Sequence, residues 1–148
     1  MSQFSLFEKL QVVRLPHEYD LKPVPFRGSE KKPILVVGFN FTEEDKKFIF
    51  KVIDSIQYDR NSEVTVTQLK ENECLSYDEI EHTETEIIMI FDLDPKSMGL
   101  TKKVTKYVLY TIGGKKIIFC DDVQSVLQSK SLKLKLWSQL KHLKKSHE

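Results

Sequence analysis

Apolar residues fall into two kinds of pattern along this chain. ILVVG (34–38) and IIMIF (87–91) are unbroken apolar runs with polar residues beyond them, as in strands buried on both faces. VTVTQL (64–69) alternates apolar and polar positions, which predicts a third strand. Between the first two strands the period changes. Phe48, Ile49, Val52, Ile53 and Ile56 fall within about 140° of one another on a helical wheel. Thr42-Glu43-Glu44-Asp45 places a hydroxyl cap and three acids at that helix's start, where exposed amides and the helix dipole favour them. Asn61 and Ser62 predict a turn. Residues 70–85 are polar, with a short helix after Ser76. VTKYVLYTI (104–112) and KKIIFC (115–120) flank Gly113-Gly114, the signature of a β-hairpin with a two-residue turn. Asp121-Asp122 predicts the cap of a short helix over 122–127, and Ser129 or Ser131 that of a last helix.

Residues 1–33 read as an extended leader. Ser5-Leu6-Phe7-Glu8 fits a capping box, but LP (15–16), KPVP (22–25) and GSEKKP (28–33) favour extended chain and turns. Phe4, Leu6, Phe7, Leu10, Val12 and Val13 put six apolar residues into ten positions. Exposed apolar segments of this kind meet partners, so these six are candidate docking residues; packing on the chain's own domain is the other outcome. Residues 34–148 are then a single α/β domain whose first three strands are parallel, with an antiparallel edge.

The last helix raises a functional question. With Leu132 at 0° on a wheel, Leu143, Leu136, Leu140 and Trp137 follow at about 20°, 40°, 80° and 140°. That is one apolar face, which predicts a core helix anchored by Trp137. Leu134 lies near 200°, where no core position accounts for it, and is a candidate partner contact. Lys130, Lys133, Lys135, Lys141, Lys144 and Lys145 are the alternative, a nucleic-acid surface with a steep salt dependence. They lack the arginines and multiple aromatics of a stacking platform.

Charge sharpens this contrast. The formal net charge is +1. Residues 128–148 hold six lysines and one acid, so residues 1–127 hold the other 17 basic and 21 acidic side chains. From Glu71 to Asp94 nine acids occur without a Lys or Arg between them, a flank that repels a phosphate backbone. Two cysteines, Cys74 and Cys120, cannot form a disulfide framework. With no secretory signal pattern and no apolar run near ~20 residues, the expectation is a cytoplasmic protein with no membrane contact.

IIMIFDLDPK sets Asp92 and Asp94 just beyond a buried strand, where α/β folds place their sites. A haloacid-dehalogenase loop, D-x-D-x-T, would need a hydroxyl where Lys96 stands. A receiver domain would need an acidic pair where Gly38-Phe39-Asn40 stands. A two-carboxylate metal site would need further ligands, for which Asp121-Asp122 is the candidate. Caps and turns are the simpler account. His17, His82, His142 and His147 are scattered, without ligand spacing. There is no nucleophile elbow, P-loop or G-x-G-x-x-G motif. The sequence therefore predicts no catalytic residue, no cofactor and no metal. A small hydrolase or phosphotransferase using Asp92 and Asp94 remains an alternative.

The order of elements resembles the psi subunit of bacterial DNA polymerase III, a clamp-loader accessory protein. ILVVG leading into FIFKVIDSIQ and EVTVTQL carries part of the likeness. GGKKIIFCDDVQSVLQSKSLKLKLW carries the rest: a strand, a short helix with Val123, Val126 and Leu127, a break, and a helix of form leucine–x–x–x–leucine–tryptophan at Leu132, Leu136 and Trp137. EKLQVVRLP is similar, more loosely, to that family's N-terminal segment. The likeness spans roughly residues 8–143 and is mostly hydrophobic pattern. It implies a three-layer α/β/α sandwich with a mostly parallel central sheet and a C-terminal β-hairpin and helix, like uracil-DNA glycosylases without their activity. Of the glycosylase loop G-Q-D-P-Y-H, FDLDPKS keeps only Asp94-Pro95. The resemblance further implies a non-enzymatic interaction subunit, its leader docking on clamp-loader subunits and its domain binding a chi-like subunit.

Overall fold

The computed structural model describes residues 22–26, 28–100 and 103–143. In chain order come β1 (Lys22–Pro23), β2 (Ile34–Phe39), α1 (Glu43–Ser55), β3 (Val64–Leu69), β4 (Glu73–Cys74), α2 (Asp78–Glu81), β5 (Ile87–Phe91), β6 (Tyr110–Ile112), β7 (Lys115–Cys120), α3 (Val123–Leu127) and α4 (Lys130–Leu140). The protein is a mixed α/β fold with a mostly parallel central sheet, ordered β3-β2-β5-β7-β6. The pairings β2–β3, β2–β5 and β5–β7 are parallel, and β6 closes one edge antiparallel to β7. β1 and β4 form a separate parallel pair.

The unbroken apolar runs are explained by the pleat, which sends successive side chains to opposite faces. Ile34, Val36, Ile87, Met89, Phe91 and Ile118 join one core cluster, Leu35, Val37, Ile88, Ile90, Ile117 and Phe119 the other. On the first face lie the amphipathic helices, with Ile49 and Ile53 of α1, Val123 and Val126 of α3, and Leu136 and Leu140 of α4. The second face is covered by Val24, Leu75, Tyr77, Ile80, Leu93 and Met98, from short elements and irregular chain.

Helix starts follow from their caps. Thr42 and Asp45 form a reciprocal capping box on α1, Asp122 caps α3 and Ser129 caps α4. The hairpin is shorter than its sequence pattern: its first strand is 110–112, not 104–112. Tyr107 takes a left-handed backbone (φ 62°), and its hydroxyl donates to Asp121 Oδ2 at 2.8 Å, so the chain turns before the ladder begins.

Residues 28–33 and the β1 region, read from sequence as leader, contact the folded body. Lys22–Pro23 pair with Glu73–Cys74, Val24 is buried and the Glu84 amide donates to Glu30 O. The expected helix start at Ser5, and Phe4, Leu6, Phe7, Leu10, Val12 and Val13, lie outside the described residues. Among the described residues no helix is long and apolar enough to cross a membrane.

Candidate functional site

Two regions hold the side chains singled out above. The first lies at the carboxyl ends of the parallel strands. From β2 the chain moves outward to β3, then returns to β5 on the other side of β2. Connections diverge at such a switch point and leave a crevice. A cavity of about 170 Å³ opens there, lined by Asn40, Phe41, Asp45, Phe91, Asp92, Asp122 and Gln124 among others. Asn40 (φ 46°) and Asp92 (φ 62°), the residues just past β2 and β5, both take left-handed backbone, which their short polar side chains tolerate. Phe41 and Phe91 meet edge-to-face at 6.3 Å. Gly38 permits this: a Cβ there would come within 2.3 Å of the Phe41 ring.

The carboxylates around the cavity have different roles. Asp45 is buried and accepts from the Thr42 amide (3.0 Å) and from Gln124 Nε2, joining α1 to α3. Asp122 accepts from the Ser125 amide (3.2 Å) and hydroxyl (2.7 Å). Asp92 accepts no hydrogen bond from the described residues, although its own amide donates to Cys120 O. Partial burial raises its pKa above the usual carboxylate value, and the nearby Asp122 and Asp121 add to this against the pull of Lys106. Asp121 is lowered, first by its 2.7 Å bond from Lys106 Nζ. The Cys120 thiol is pushed up to about 12 by burial, so it is not a ready nucleophile.

The structure separates the Asp92–Asp94 pair. Asp92 opens on the cavity, whereas Asp94 caps the 3-10 turn Pro95–Met98 through Lys96 N (3.0 Å). Among the described residues no group of three or more His, Cys, Asp and Glu is placed to hold a metal ion. His82 is exposed, 4.0 Å from Glu30. The cavity's signal in the sequence was the pair of polar residues, Asn40 and Asp92, that directly follow the two unbroken apolar strands.

The second region is the outer side of α4. Leu136 and Leu140 are fully buried, with Leu132 and Leu143 half-buried beside them. Leu134 is 59% exposed, as its wheel position predicts. Trp137 corrects the expectation of an anchor: it is 39% exposed, because it lies about 80° round the helix from the Leu136–Leu140 centre. Lys130, Lys133, Lys135 and Lys141 are exposed, but they do not form one set. Lys135 lies about 100° round the helix from Leu134, and its charge helps to lower Asp121. Lys144 and Lys145 lie outside the described residues. Val108 is the other exposed large apolar residue among the described residues, and the amide after it, Leu109, donates to Gln139 Oε1 of this helix at 3.0 Å.

No protein-family profile matches this chain, and no curated protein matches its sequence.

Proposed function

We propose that this protein is a non-catalytic interaction subunit of the DNA replication machinery, psi-like, that bridges the clamp loader to another subunit. The observation that carries this reading is the side-by-side exposure of Leu134 and Trp137 on α4. The helix is held by Leu136 and Leu140, Leu134 is more than half exposed, and exposed apolar groups side by side mark contact surfaces. The order of hairpin, short helix and last helix, on a mostly parallel sheet, is compatible with the sandwich of that family. The α4 face would take a chi-like subunit, and residues 1–20 would reach the clamp loader.

The test uses purified clamp-loader subunits and the tagged full chain, compared with a version lacking residues 1–20. Retention of a loader subunit by the full chain, lost on truncation, supports the reading. Retention of none overturns it.

A second reading, a small hydrolase or phosphotransferase, draws on Asp92 alone, since Asp94 is occupied as a cap. An Asp92→Asn change that leaves a measured hydrolytic activity intact removes it.

A further inference from the structure

Lys130, Leu134, Trp137 and Lys141 are spaced i, i+4, i+7 and i+11, so they form one stripe along the outer side of α4, about 16 Å from end to end. All four are exposed. The stripe is apolar at its centre and cationic at both ends, and exposed Lys133 flanks it. The two C-terminal helices that carry it have one sign of charge: residues 123–143, which follow Asp121-Asp122, contain four lysines and no Asp or Glu.

We infer that this stripe is the docking site for an acidic peptide segment of a partner protein, one that carries apolar anchor residues between its carboxylates. The inference rests on the reading of the chain as an interaction module and specifies the chemistry of one partner. Charge complementarity fixes the sign of the occupant, because a basic or neutral segment would leave the lysines without counter-charge. Leu134 fixes its class. A nucleic-acid strand presents phosphates and base faces, and could stack on Trp137, but it would leave a leucine more than half exposed at the middle of the site. A peptide covers both, since apolar side chains three or four residues apart are how a helix face is read by a partner. The lysines then act at the rim, raising the association rate and setting the salt dependence.

The test selects random 12-residue peptides displayed on phage against the full chain, with counter-selection on the Leu134→Ser/Trp137→Ser double variant. Enriched peptides should hold several Asp or Glu and at least one large apolar residue. A synthetic copy should bind the double variant at least tenfold more weakly than the wild type. It should also weaken severalfold on Lys130→Glu/Lys141→Glu and between low and physiological salt. Circular dichroism of each variant confirms that the helices are retained. Enrichment of neutral or basic peptides, equal enrichment on the double variant, or no enrichment overturns the inference. So does displacement of the bound peptide by an oligo-dT strand at lower concentration than by free peptide, which would make the face a nucleic-acid site. If the loader subunits are retained by the full chain while the selection fails, the interaction-module reading stands and only this assignment falls.

Discussion

The two faces of the sheet are closed by different means. On one, α1, α3 and α4 each present side chains three or four residues apart, and the contact is almost wholly apolar. On the other, short elements and irregular chain cover an equally apolar surface, and polar side chains hold that chain in place. Lys115 Nζ donates to Thr83 O and Thr85 O, both at 2.7 Å. The Tyr77 hydroxyl donates to Ile112 O at 2.8 Å, and Glu79 accepts from the Phe26 amide at 3.1 Å. A helix satisfies its own backbone and needs only an apolar stripe. Irregular chain over a core must have its backbone groups paired one by one.

The largest effect should come from truncating the helical face. Ile53→Ala removes a fully buried side chain between a helix and a sheet that cannot close the gap, at a cost of about 3–5 kcal/mol. Ile80→Ala removes an equally buried one beneath chain that can settle inward, and belongs near 2 kcal/mol. Urea unfolding of both variants decides this. Equal losses would mean that the irregular cover is as rigid as the helices.

Next in size is the polar fastening itself. Lys115→Met keeps the apolar stem but removes the amine, leaving two buried carbonyls without their donor, at about 1–3 kcal/mol. Hydrogen exchange should quicken in residues 82–86 more than in α1. The pH dependence has a definite sign. Burial holds the Lys115 pKa below the free value of 10.5, so between the two values the unfolded chain binds the extra proton. Stability from this group is then fully present above about pH 10.5 and is lost as pH falls through the folded value. The stability gap between wild type and Lys115→Met should therefore widen as pH rises from 8 towards 10.5. A constant gap would mean that Lys115 does not titrate in that window.

How far the sequence disclosed each face follows from the same physics. The strands and α1 were legible because burial on a pleat or a helix imposes a period, and caps such as Thr42 mark where it begins. The second face has no period to read. Lys115 still left a trace, since in KKIIFC it shares its side of the strand with Ile117 and Phe119, both buried in the second cluster. For the candidate site, Leu134 was legible because it broke the apolar face of α4. Asp94-Pro95 was legible as a cap and turn, as the Lys96 amide bears out, but nothing in the pattern set it apart from Asp92, which opens on the cavity. Trp137 misled because apolar character was taken for burial at the edge of the wheel. The short first strand of the hairpin depends on Tyr107 meeting Asp121, fourteen residues away, which no local pattern carries.

A smaller effect tests the helical side at its boundary. The Thr42 side chain accepts from the Asp45 amide at 3.1 Å while Asp45 accepts in return from the Thr42 amide. Thr42→Ala should cost about 1 kcal/mol, read as a lower urea midpoint. Asp45→Ala should cost more, because it also releases Gln124 and so loosens α1 from α3. Equal effects would confine Asp45 to the cap.

The smallest effect belongs to the outer side of α4, and its smallness is informative. Leu134 is 59% exposed, so Leu134→Ser removes little buried surface and should change stability by no more than about 0.5 kcal/mol. Leu136→Ser, two residues away and 1% exposed, should be severely destabilising, because it both empties a packed site and buries a hydroxyl without a partner. The contrast separates what holds this helix from what it presents. If Leu134→Ser instead lowered the urea midpoint as much as a core truncation, the leucine would be packing against its own chain. The exposed stripe would then be part of the fold rather than a surface for a partner.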